Sequence, residues 1–147
     1  MVRERTITLE NLEENMERLK QFGLQITDRV KGLIILKHKV TGRKFIIGKI
    51  KCPYCNKEFP LYIKERYWST GVSYEQFDSE FKNHIDHEHK EEFSREWIRC
   101  IKEPYQQGSW HKVKRYVCVK CGFKSRRYAD TLIHVIKVHG LAKAKTS

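Results

Sequence analysis

Two periods of apolar residues organise the first third of the chain. Leu9, Leu12, Met16, Leu19 and Phe22 recur three or four apart, the repeat of a helix with one buried stripe, and Gly23 stands where such a helix would end. Residues 3–8 before it are expected to form a short strand. After Gly23 the segments 24–30, 33–39 and 43–51 are rich in Ile and Val, and Lys31-Gly32 and Thr41-Gly42 separate them as turns. The pattern predicts one amphipathic helix followed by a strand meander over residues 1–51. So short a unit has a marginal core. It is therefore expected to pack on the remainder of the chain or on a second copy of it.

The middle is helical by the same test. Ser73 with Gln76 has the spacing of a capping box, and Phe77, Phe81 and His84 come after it. Phe93, Trp97, Cys100 and Ile101 continue the periodicity towards Pro104, which predicts a long or second helix with Cys100 buried on it. Tyr62, Tyr67, Trp68 and Gly71 lie before this helix and read as a lengthened strand and loop, either a local aromatic core or a partner surface. Residues 104–115 read as a loop, and the basic tail 141–147 as a frayed end.

Four of the five cysteines fall in two Cys-x-x-Cys pairs, Cys52/Cys55 and Cys118/Cys121. Twelve residues separate Cys121 from His134, and four separate His134 from His139. Two thiolates on a tight turn and two imidazoles on one helical face can close a tetrahedron around zinc. Gly122 suits the backbone just after the turn. In the first set 28 residues separate Cys55 from His84, and His84 with His89 repeats the spacing of the second pair. His87 is the alternative ligand there. A redox pair or disulfide lacks the βαβ context and the secretory signal it would need. A single all-thiolate site would leave two spaced His pairs without a role. His38 and His111 have no metal spacing and read as surface residues.

On these residues the chain resembles the Cys2His2 zinc-finger family, and within it the small two-finger regulators of archaea and their viruses. The resemblance covers about residues 52–90 and 116–140. It implies two ββα fingers, the first with a 16-residue insertion. Together with the helix-plus-meander unit read at 1–51, this gives an α+β chain with the first finger and its extended helix at 52–103, a linker at 104–115, a second finger at 116–140, and the tail. It also implies two Zn2+ per chain, held by Cys52, Cys55, His84 and His89, and by Cys118, Cys121, His134 and His139. Phe59 and Phe81 match the family's core positions in the first finger, and Tyr116 matches an aromatic of the second. Ser125 and Thr131 stand where the second finger should have a Phe and an aliphatic residue. Phe123, Tyr128 and Leu132 are nearby substitutes for that core.

Charge separates the two fingers. The chain carries a net +12, but residues 52–103 hold 8 basic and 11 acidic side chains, while residues 104–147 hold 10 basic and 1 acidic. A basic C-terminal third points to a polyanion, whose condensed counterions are released on binding. By family spacing the second finger's helix would present Arg127, Asp130 and Ile133 to bases, with Arg127 suited to guanine and Asp130 to cytosine or to bracing an arginine. Lys112, Lys114, Arg115, Lys124 and Arg126 suit phosphates. The first finger would present Phe77, Glu80 and Asn83 beside Asp78, a poor match to phosphate, and is expected to be structural or to contact protein. Twenty-eight residues separate His89 from Cys118, so the fingers need not read adjacent triplets.

The expectation is therefore a double-stranded-DNA-binding transcriptional regulator, with a protein adaptor or an RNA binder as alternatives. A protein partner at the first finger and a homodimer through residues 1–51 are compatible with it. Closed four-ligand sites and the lack of a catalytic constellation argue against an enzyme. The longest aliphatic run is Leu33 to Leu36, far short of the roughly 20 residues of a membrane span. A charged N-terminal segment gives no secretory leader. An intracellular setting is expected: the cytoplasm, the nucleus of a eukaryote, or a host cell if the source is viral.

Overall fold

The meander forms, and it recruits more strands than its own length predicts. The structure, a computed structural model, describes residues 3–141 except 31, 107 and 109. Among these it is α+β, with four helices and two sheets. The chain divides into two compact units, up to Asn83 and from His84 onward.

The first unit holds β1 (Arg3–Ile7), α1 (Leu12–Gln21), β2 (Leu24–Val30), β3 (Leu33–His38), β4 (Lys44–Lys51), β5 (Glu58–Trp68) and β6 (Gly71–Phe77). Its sheet runs β1-β5-β4-β3-β2, and β6 also pairs with β5. Leu12 and Leu19 of α1 are buried in one cluster with Ile7, Leu24, Ile34, Leu36, Phe45, Ile47, Ile63 and Tyr74, and Met16 packs against it. Leu9 and Phe22, the outer members of the predicted stripe, stay partly exposed because the helix is shorter than the periodicity. Gly23, at φ +97°, donates its N–H to the Lys20 carbonyl and turns the chain into β2.

Ser73 and Gln76 do not cap a helix. They lie in β6, which pairs with β5 from Tyr62↔Phe77 to Trp68↔Gly71. The β-favouring run on both sides of Gly71 overrides the local capping signal. Strand β5 takes two partners in succession, β4 along Glu58–Leu61 and β6 along Tyr62–Trp68. Gln76 works at that junction. Its Oε1 accepts from the Ile46 N–H at 2.7 Å, and its Nε2 donates to the carbonyls of Ile46 and Tyr62 at 2.8 and 3.1 Å.

Gly48 marks the tightest backbone approach. It sits at φ +142°, and a Cβ there would lie 2.3 Å from the Gly32 carbonyl oxygen. Gly48→Ala is expected to destabilise the first unit by more than about 1 kcal/mol, read as a lowered urea midpoint, because both the dihedral and the contact must change.

Helix α2 (Ser79–Glu88) comes next, then α3 (Lys90–Glu96) and β7 (Ile98–Pro104). Of the two expected forms the second helix is the one present, and it stops early: α3 ends at Trp97, whose N–H bonds the Phe93 carbonyl. Residues 98–104 are a strand, because Ile98 and Ile101 pair across to β8 instead of extending the helical face. Cys100, expected to be buried on a helix, is exposed on β7. The expected loop at 104–115 is in part strand: β8 (Lys112–Cys118) pairs with β7 along all seven positions from Ile98↔Cys118 to Pro104↔Lys112. The short β9 (Lys124–Ser125) completes a sheet ordered β7-β8-β9, and α4 (Tyr128–His139) packs against it.

Candidate metal centres and basic surface

Both cysteine pairs sit on the same local structure. In the first, the Cys52 N–H donates to the Lys57 carbonyl and the Asn56 N–H to the Cys52 carbonyl. In the second, the Cys118 N–H donates to the Phe123 carbonyl and the Gly122 N–H to the Cys118 carbonyl. Each knuckle turns on one left-handed residue, Asn56 at φ +63° and Gly122 at φ +86°. Asparagine is among the few side chains that tolerate that region, so the two turns are equivalent despite different residues. The first knuckle joins β4 to β5 and the second joins β8 to β9, so each follows a strand and precedes its antiparallel partner.

The structure brings Cys52, Cys55, His84 and His89 into one group, and Cys118, Cys121, His134 and His139 into another. Within each group the ligand atoms lie within 4.8 Å of one another. Ordinary metal–sulfur and metal–nitrogen bond lengths give a tetrahedron with edges of about 3.3–3.8 Å, so each group can close on one ion with small adjustment. Two further observations fit an ion in the second group. Cys121 Sγ and His134 Nε2 stand 3.1 Å apart, and the buried Nε2 of His139 has no hydrogen-bond partner among the described residues. No disulfide joins any of the five cysteines, and the two pairs do not share one all-cysteine site. His87 is exposed and belongs to neither group. Burial pushes the Cys52 and Cys118 thiols above their ordinary range, which makes proton loss to an ion the step that charges them.

The core of the second ββα unit is built from substitutes. Thr131 occupies the expected aliphatic position and is fully buried, and its hydroxyl donates to the Tyr116 carbonyl at 2.7 Å. Leu132, Ile133, Val135 and Ile136 are buried beside it. Tyr116 and Tyr128 meet edge to face at 5.3 Å. Phe123 is only partly covered; it stacks on the His134 imidazole with ring centres 4.3 Å apart, fixing the ligand's plane. The knuckle is anchored from α3 by the Trp97 carbonyl, which accepts from Val119 N–H, and by the Trp97 ring, over which the Lys120 ammonium sits at 4.5 Å.

The predicted contact residues separate into engaged and open groups. Ile133 is 1% exposed, so it belongs to the core. Asp130 accepts from Ser125 Oγ at 2.9 Å and from Arg127 Nη1 at 3.3 Å, so it braces the arginine. Lys124 donates to Glu103 at 2.6 Å, and Arg115 lies 3.8 Å from the same carboxylate. Lys112, Lys114 and Arg126 are exposed. The Arg126 guanidinium stands 5.8 Å from the Tyr105 ring. Sequence reasoning missed Lys102 as a surface residue, because a four-residue spacing of apolar positions hides the break between α3 and β7. In the first unit the inserted aromatics are largely spent on the sheet: Tyr62 stacks on Phe77, and Trp68 Nε1 donates to Ser73.

No helix among the described residues is long and apolar enough to cross a membrane. No family model, curated protein or solved structure matches the chain.

Proposed function

We propose that the protein is a zinc-dependent regulator of transcription that binds double-stranded DNA through its basic second unit. One observation carries this reading. Between Ile98 and Leu141 ten basic side chains face only two acidic ones, and both acids are consumed internally, Glu103 by Lys124 and Arg115, Asp130 by Ser125 and Arg127. Lys102, Lys112, Lys114 and Arg126 are left exposed with no carboxylate partner among the described residues. Such a surface concentrates phosphate. Zinc is the ion that suits two thiolates and two imidazoles in a closed tetrahedron. Four protein donors leave it no open position, so its role is to hold the fold and not to catalyse.

The test is duplex binding as a function of salt. About four neutralised phosphates give an expected log–log slope near −3.6. Arg126→Ala with Arg127→Ala is expected to weaken binding, while Asp78→Ala with Glu80→Ala is not. A salt-independent signal, or no duplex binding by the zinc-loaded chain, rejects the reading.

A further inference from the structure

We infer that the β7–β8 ribbon, and not helix α4, is the element that enters the DNA groove, with Lys102 and Lys114 reaching the base edges and Trp110 at the leading end. This deepens the DNA-binding reading and rests on it. The first support is that α4 has little to read with. Of its three positions that would face bases, Ile133 is in the core and Asp130 and Arg127 are tied to each other.

The second support is a strand that a ββα unit does not need. Strand β7 runs beside β8 for seven residue pairs, while β9 pairs only with Tyr116 and Val117. From Tyr116 to Lys112 the ribbon therefore extends on its own beyond β9, by about 13 Å at the usual rise per residue. Its two faces differ. Glu103, Arg115, Val113 and Ile101 share the half-buried face with their internal ion pairs. Lys102, Lys112 and Lys114 share the other face, all exposed. That lysine face also carries Tyr116, whose ring meets Tyr128 of α4. Lys102 stands directly across from Lys114. Like charges opposite one another destabilise a strand pair, and an anion laid on this face removes the cost.

The third support is at the end of the ribbon. Trp110 is 90% exposed and Tyr105 is 53% exposed, with the Arg126 guanidinium over the tyrosine ring. In the major groove an exposed apolar side chain meets the thymine methyl groups, while the neighbouring cation faces phosphate. The occupant is set by dimensions and charge. A two-stranded ribbon fits the major groove, about 12 Å wide, and not the minor groove, about 6 Å wide. Lysines on its face are then placed for guanine O6 and N7.

The experiment uses the full zinc-loaded chain, a mixed-sequence duplex and the matching single strand. Methylation interference at guanine N7 reports the major groove, and at adenine N3 the minor groove. The parent is expected to show N7 interference. Lys102→Ala with Lys114→Ala is expected to lose about ten- to hundredfold in affinity and most of that interference. Trp110→Ala is expected to lose affinity and the tryptophan quenching that accompanies binding. Cobalt-loaded spectra of each variant confirm that the metal sites and fold are intact. If the parent binds duplex but both variants bind as the parent does, the ribbon assignment fails and the DNA-binding reading stands. N3 interference, or preference for the single strand, overturns the major-groove assignment. If the parent itself binds neither, the broader reading fails.

Discussion

Removal of zinc is expected to unfold the second ββα unit outright. A structural zinc in such a unit contributes about 10–16 kcal/mol at neutral pH, as much as the whole stability of an ordinary small domain. The apolar core that would remain comes largely from α4, namely Ala129, Leu132, Ile133, Val135 and Ile136. Strand β9, which must close the unit, is two residues long. Cys118→Ser should therefore abolish the α4 contribution to circular dichroism and half of the bound zinc, and a strong chelator should abolish the same helical signal and all of the zinc. Retention of that helical signal by metal-free chain would overturn the structural role of the ion.

The pH dependence has opposite signs with and without metal. Burial holds the Cys52 and Cys118 thiols above their ordinary range. In the metal-free chain the second ββα unit is unfolded, so only Cys52 acts: its raised folded pKa contributes stability that is present below the unfolded value, about 8.5, and is lost as pH rises through the folded one. In the loaded chain each thiol must give up its proton, so zinc affinity falls on acidification, by up to about two orders of magnitude per pH unit for two thiols. Zinc content measured by native mass spectrometry across an acid titration should fall cooperatively. A content unchanged well below the titration range of imidazole would argue against Cys2His2 coordination.

The parts of the molecule visible in the sequence are those fixed by short-range spacing. Two cysteines three positions apart and two histidines five apart need only one turn and one helix to converge, and the groups form around them. The helix of the first unit was legible because Leu12, Met16 and Leu19 repeat on one face. Long-range pairing was not legible. Ser73 and Gln76 satisfy a local helix-start pattern, yet β5 offers a strand edge that outweighs it. Residues 93–101 satisfy a helical repeat, yet β8 pairs with 98–101 as strand. The same blindness hid the basic ribbon, since Lys102 and Lys114 are twelve positions apart and meet only through the register of two strands.

Loss of Arg18 is expected to be the most damaging single change in the first unit. Glu65 lies in β5, flanked by Arg5 of β1 and Tyr74 of β6, and is 0% exposed. Its Oε1 accepts from Arg18 Nε at 2.9 Å and from the Tyr67 hydroxyl, and its Oε2 accepts from the Tyr74 hydroxyl at 2.8 Å. Arg18 is held in turn by Asn15 Oδ1 at 2.6 Å, which also accepts from Arg5. Arg18→Met keeps most of the side-chain volume and strands a buried carboxylate. Breaking such a pair costs about 3–5 kcal/mol. The lower end applies, because Arg5 stands opposite Glu65 on β1 and two phenols still donate. For a unit of this size that is a fall of about 12 °C or more in melting temperature. The double variant Arg18→Met, Glu65→Leu removes both charges and should recover much of the loss. A cost below about 1 kcal/mol for Arg18→Met, or a double variant worse than the sum of its parts, would sink this account. The phenols give an independent readout. Burial first, and then the Glu65 carboxylate, push Tyr74 and Tyr67 above the ordinary value of 10.0. Their contribution to stability is present below that value and is lost as pH rises through the raised ones. Glu65→Gln should bring their ultraviolet-detected ionisation to lower pH, although burial keeps it above that of exposed tyrosines.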